Sequence, residues 1–366
     1  MAPTLTSRSA RAIALAFQAA QARRSRLTAN EIQRLWRQLD PRDLSGSWET
    51  SVGPRIVRAI TAGQLASAAV ANEYVDEVVD ADGADPDRAG RARPEAFAGA
   101  AADGRSLESL MYLSVITTKQ AIGGGLSLQD SLLRGLHQAL RLGASETTQA
   151  GRSAVGASMA GKRTIQGYVR VVQPPACGRC VILAGIEFGW NKGFQRHPRC
   201  DCIHLPTTLI ARNQHRGSLR SDAFSPTTRP GSGPRGFISP RAYFDALSRA
   251  EQDRVFTAAG AAAIREGGDM AQIVNARRGM YTTTAYGRTL RATREGTTRR
   301  GYWYRQERAR TAARTGTRFA RDRIEARQGL PRFELRSPRL LPEEIFRLAE
   351  SRDEAVAMLR RFGYLT

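Results

Sequence analysis

The sequence predicts an α+β fold that is predominantly α-helical, and three observations carry that expectation. Apolar residues recur at helical spacing through roughly the first 160 positions, residues 164–188 switch to β-branched and aromatic runs, and helix signals return after residue 239 among many arginines. These shifts divide the chain into a helical N-terminal domain over 1–163, a small β-module over 164–206, a linker over 207–238, and a basic, mainly helical C-terminal region over 239–366.

In chain order, residues 10–27 combine alanines with Ile13, Leu15 and Phe17 and gather Arg23, Arg24 and Arg26 at the end, where cations suit the helix dipole. Residues 28–31, Thr-Ala-Asn-Glu, have the form of a capping box, which predicts a new helix through Ile32, Leu35, Trp36 and Leu39. Ile56, Val57, Ile60, Leu65, Val70, Tyr74 and Val78 continue as one long amphipathic stretch to an acidic break at 80–86. That break is expected to be a solvated loop: its Gly83 falls at the fourth position of a calcium-loop pattern, not the sixth, and no Glu closes the pattern. Residues 106–122 and 127–142 form two further helices around a Gly123-Gly124-Gly125 turn. Residues 164–172 read as a strand and 181–188 as a hairpin turning at Ala184 and Gly185.

Residues 207–236 are rich in Arg, Ser, Pro and Gly without apolar periodicity. Ser239 and Pro240 suit the cap and first position of a helix, and Ser248 with Glu251 forms a second capping box. Pro342 and Gly363 bracket a terminal helical pair over 341–350 and 352–362.

A formal net charge of +22 on 366 residues points to a polyanionic partner. Of the 56 basic residues 53 are arginine, a bias that matches the codon usage of a GC-rich genome as well as guanidinium chemistry. Half of the excess lies between 287 and 339, where 16 arginines face five acidic residues. Arg288, Arg291, Arg294, Arg299, Arg300, Arg305, Arg308, Arg310, Arg314 and Arg318 are the candidate contacts to nucleic acid, expected to be duplex DNA bound without sequence preference. Tyr302, Trp303 and Tyr304 interrupt the run and offer stacking surfaces for frayed or single strands. A solvated surface or a docking face for an acidic protein is the competing reading. No run of about 18 apolar residues exists, so no membrane span is expected.

All four cysteines fall within residues 177–202. Cys177 and Cys180 make a C-x2-C knuckle, and His197, Cys200 and Cys202 return in an H-P-x-C-x-C run. Two short segments that each direct soft donors at one point suit a tetrahedral Zn2+ site, and because they leave no coordination position open the metal would be structural. Ordinary buried thiols and a pair of disulfides are the alternatives. Disulfides require an oxidising compartment, and the first 18 residues show no secretory pattern. The β-module is therefore expected to be stabilised by zinc.

The segment Gly193-Phe194-Gln195-Arg196-His197-Pro198-Arg199-Cys200-Asp201-Cys202, following Cys177, Cys180 and Gly185, resembles the central motif of the phage Mu F-type minor head proteins, in the version found in phages of actinobacteria. Weaker similarity extends to residues 93–97, 271–280 and 361–365. The resemblance implies a structural head-morphogenesis protein present in a few copies, located in the virion at the portal vertex or head interior and in host cytoplasm during assembly, with portal and capsid proteins and the packaged genome as partners.

Enzymatic readings find little support. Residues 156–162 match the first seven positions of a P-loop, but Arg163 stands where Ser or Thr must hold Mg2+, and the motif precedes the strand it should follow. Ser158 is not in a nucleophile elbow, and His137 has no partnered nucleophile. A maturation protease would need a nucleophile, whereas the cysteines are expected to be ligands. A zinc-dependent DNA-binding protein or nuclease is the main alternative, since His197, Asp201 and His204 cluster among the cysteines.

Overall fold

The computed structural model describes residues 6–86, 90–190, 202–208, 239–285 and 287–365. Among these residues the architecture is α+β with helix dominant and two three-stranded antiparallel sheets. The chain divides into two units, one made of residues 1–176 and 183–239, the other of 177–182 and 240–366.

In the first unit two long helices, α1 (Thr6–Trp36) and α6 (Leu128–Ala160), run through two successive apolar clusters. Between them lie α2 (Leu44–Ser47), α3 (Gly53–Ala69), α4 (Ala71–Ala81) and α5 (Leu107–Gly123). One cluster joins Ile32, Leu35 and Trp36 of α1 to Ile56 and Ile60 of α3, Met111 and Val115 of α5, and Leu136 of α6. The other joins Ala10 and Ala14 to Tyr74, Val75 and Val78 of α4, Met159 of α6, and Tyr168 and Val169 of β1 (Ile165–Val171). Glycine lets α1 and α6 approach closely: a Cβ on Gly143 would stand 2.2 Å from Ile32 Cδ1.

Several expectations are corrected here. Residues 28–31 do not start a helix, because α1 continues through them. Thr28 Oγ1 bonds back to the Arg24 carbonyl at 3.2 Å and Glu31 pairs with Arg34, so neither side chain caps. An extended Thr28 would carry Ile32 and Leu35 out of register with the cluster they fill, and burial of that face outweighs a local cap. Helix α6 runs well beyond residue 142, since Thr147, Ala150, Gly151 and Ala154 keep the buried face going with small side chains. The stretch 53–81 is two helices, with Val70 between them outside helical geometry (φ −92°, ψ 2°).

The acidic turn after α4 is not wholly solvated. Asp82 is 7% exposed and accepts a hydrogen bond from Thr208 Oγ1 at 3.1 Å. Lys162, in the place of a P-loop lysine, is buried; its ammonium pairs with Asp76 at 2.5 Å and donates to the Pro86 carbonyl at 2.7 Å. That position is structural.

Strand β1 is the centre of the first sheet, flanked by β2 (Glu187–Gly189) and β3 (Ile203–Thr208) in the order β2-β1-β3. Tyr168 stands opposite Phe188 on one side and Pro206 on the other. The hairpin expected over 181–188 shrinks to β2, because the preceding residues enter a helical turn, α7 (Gly178–Val181). Of the expected linker, Thr207 and Thr208 complete β3, and 209–238 lie outside the described residues.

The second unit contains α7 and then α8 (Pro240–Asp245), α9 (Arg249–Phe256), α10 (Ala258–Arg265) and α11 (Met270–Ala276). A sheet of β4 (Met280–Ala285), β5 (Arg288–Thr293) and β6 (Arg339–Leu340) is interrupted by α12 (Tyr302–Thr315) and α13 (Arg323–Arg327). The chain closes with α14 (Pro342–Leu348) and α15 (Arg352–Arg361), the expected terminal pair. The capping box at Ser248 and Glu251 forms, and Pro342 opens α14.

Candidate functional site

The C-x2-C knuckle is built by a tight turn. Cys177 caps α7, and its carbonyl accepts from the amides of Cys180 and Val181 at 2.9 and 3.1 Å. The turn brings Sγ of Cys177 and Sγ of Cys180 to 3.5 Å. Two thiolates on one tetrahedral zinc, each ~2.3 Å from the metal, stand ~3.8 Å apart, so the pair fits half of such a site. Gly178 allows the turn to lie close to its own unit: a Cβ there would meet Val274 at 3.3 Å and Phe256 at 3.4 Å.

Cys202 lies just before β3, in the first unit, and is buried. Arg170 Nη2 donates to its sulfur at 2.9 Å, an arrangement that suits the anionic thiolate in which cysteine ligates metals. His197, Cys200 and Asp201 lie outside the described residues. Among the described residues no group of three or more His, Cys, Asp or Glu side chains converges on one point. The His204 ring lies against Tyr168, centroids 4.2 Å apart and planes tilted by 38°, while its carbonyl accepts from Tyr74 Oη at 2.6 Å.

The ten candidate arginines separate into two sets. Arg291 donates to Glu344 at 3.0 Å, Arg308 to the Ala320 carbonyl at 3.3 Å, and Arg318 pairs with Glu325 at 3.4 Å. Arg310 bonds Glu307 and the Arg360 and Arg361 carbonyls at the end of α15, and Arg294 lies over the Tyr281 ring at 5.3 Å. Arg288, Arg299, Arg300, Arg305 and Arg314 are exposed, and their guanidinium groups make no hydrogen bond or ion pair among the described residues. These five present charge to solvent at little structural cost.

The aromatic triplet is corrected. Trp303 is 1% exposed and packs beside Phe362, centroids 6.1 Å apart, while Tyr304 Oη donates to the Phe333 carbonyl at 2.8 Å. Tyr302 alone of the three is well exposed and Tyr304 is half-buried with its hydroxyl engaged, so the triplet is no stacking platform. Its placement follows from α12 turning two of three consecutive aromatic residues toward the unit's interior.

Arg339, the last arginine of the run, is also interior. It donates to the carbonyls of Phe362, Gly363 and Glu295 and to Gln272 Oε1, and its guanidinium lies 4.4 Å from the Tyr364 ring centroid. Burial lowers its pKa from the ordinary arginine value. Sequence reasoning missed Arg332, Arg336 and Arg361, which line a groove with Arg310 and Arg314. No local signal singles out Arg361, which lies far along the chain from the basic run.

A model of the VG15 protein family matches residues 8–217. No curated protein and no solved structure matches the chain.

Proposed function

This chain belongs to the VG15 protein family, a family of phage proteins, and on that premise we propose that it is a structural, non-enzymatic minor head protein of a tailed phage, of the Mu F type. It acts at the portal vertex, contacting portal and capsid proteins through its helical N-terminal part and packaged duplex DNA through its C-terminal part. The family match over most of the helical unit supports its broad term, a phage protein. The H-P-x-C-x-C run and the +22 charge support its finer terms. Quantitative mass spectrometry of purified heads tests it. The chain is expected at a few copies per head and in one complex with portal protein; heads complete without it refute the proposal.

The same reading assigns a structural zinc ion to Cys177 and Cys180, with its remaining ligands drawn from Cys200, Cys202 and His197. The cysteine spacing in the sequence and the 3.5 Å sulfur pair support that assignment. Zinc would supply folding free energy rather than chemistry.

DNA contact is assigned to Arg288, Arg299, Arg300 and Arg305, whose side chains are exposed and not committed elsewhere. Each phosphate contact contributes about 0.9 to the slope of log K against log salt on duplex DNA. Replacing Arg299, Arg300 and Arg305 with Gln should therefore lower the slope by about 2.7 on random-sequence duplex. An unchanged slope would remove these residues from the interface.

A further inference from the structure

In the C-terminal unit, five arginines, Arg310, Arg314, Arg332, Arg336 and Arg361, line a groove of about 840 Å³. Phe319, Phe333 and Leu335 add apolar surface to the same lining. The segment 332–336 belongs to no helix or strand, yet its exposure alternates: Arg332, Glu334 and Arg336 are exposed, Phe333 and Leu335 half-buried. Alternation with period two is the signature of an extended strand. Strand partners are missing, for the backbone N–H groups of residues 332–336 donate to no acceptor among the described residues. Five successive unmatched amides beside a concave lining are the features of a sheet edge that another chain can extend.

We propose that this groove receives an extended acidic peptide by strand addition, the peptide backbone pairing with residues 332–336 and its carboxylates meeting Arg314, Arg332, Arg336 and Arg361, while Arg310 stays bonded to Glu307 and the end of α15. Backbone pairing of that kind supplies affinity, while alternate side chains supply specificity. The peptide's apolar side chains would cover Phe319, Phe333 and Leu335.

Nucleic acid fits this place less well. A duplex is convex, and it is the DNA groove that accepts a protein element. A single strand carries a phosphate at every nucleotide and would set some of them against Glu307 and Glu334, which also line the groove, whereas a peptide can place uncharged residues there. Its bases would find the phenyl rings already engaged: Phe319 meets Phe333 edge to face at 5.3 Å, and Phe333 meets Tyr304 likewise at 5.2 Å. A peptide with carboxylates spaced by apolar residues meets both the charged and the apolar parts of the lining.

The test uses the full chain and a fluorescein-labelled ten-residue peptide alternating Glu and Val, followed by anisotropy, with oligo(dT) and random-sequence duplex DNA measured in parallel. The double variant Arg314→Glu, Arg336→Glu is expected to weaken peptide binding at least about tenfold. Arg299→Gln with Arg300→Gln, outside the groove, should weaken duplex binding and leave the peptide unaffected, so that failure of the DNA reading and failure of this one remain distinguishable. Because amides of one strand alternate in direction, one of the two variants Glu334→Pro and Leu335→Pro, each removing one donor, should weaken the peptide while the other spares it. Peptide affinity unchanged by the charge reversals, or unchanged in both proline variants, overturns the proposal. So does competition by oligo(dT) that is lost in the same charge-reversal variant, which would make the groove a single-strand site.

Discussion

Asp82→Asn separates the cost of a buried charge from the value of its hydrogen bonds. Asp82 follows the last residue of α4, is 7% exposed, and accepts from both the hydroxyl and the amide of Thr208. Burial dominates over those bonds and pushes the carboxyl up from 3.8 to about 6. At 1.36 kcal/mol per pH unit, a displacement of that size corresponds to roughly 2–3 kcal/mol.

The sign follows from proton counting. Between about pH 4 and 6 the folded chain holds a proton that the unfolded chain has released, so stability falls as pH rises through that window and is level above it. Asparagine stays neutral and keeps an acceptor for Thr208. The variant should therefore exceed the parent by roughly 2–3 kcal/mol above pH 7 and match it near pH 4. Thermal unfolding across that range would show a gap on the order of 5–10 °C at pH 8 that closes on acidification. A variant no more stable than the parent at pH 8, or a gap independent of pH, would refute the reasoning.

Lys162→Met leaves Asp76 buried with only the more exposed Arg91 as counter-ion, and the expected loss is about 3–5 kcal/mol in urea unfolding; a loss below about 1 kcal/mol would return Lys162 to a solvated role. Trp303→Ala should cost the C-terminal unit about 3–5 kcal/mol in the same assay, whereas a neutral result would place the indole back at the surface. Reduced, purified protein should contain one zinc per chain by elemental analysis, and Cys177→Ser should lower that content and melt the segment around the knuckle. Metal-free protein with disulfides in its place would dismiss the zinc site.

Much of this molecule is determined locally. The capping box at Ser248 and the Ser106 and Ser127 caps are side chain to backbone contacts within one turn, so residues three apart suffice to specify them, and the Pro342 start of α14 needs only proline's own fixed φ. The β-branched run that becomes β1 and the turn that pairs Cys177 with Cys180 are equally short-range. Thr28 behaved otherwise because a cap of about 1 kcal/mol competes with burial of Ile32 and Leu35, and that burial depends on helices far away in the chain. The extra length of α6 was hidden for a related reason: small residues at Thr147, Ala150 and Gly151 form a buried face only once neighbouring helices come close. Which arginines are spent inside the fold was also a tertiary decision. Arg339 and Arg299 look alike in a basic run, but Arg339 is taken up by carbonyls at Glu295, Phe362 and Gly363, while Arg299 remains at the surface. Charge count is a property of the sequence, but the availability of each charge depends on which distant acceptors the fold brings within hydrogen-bond reach.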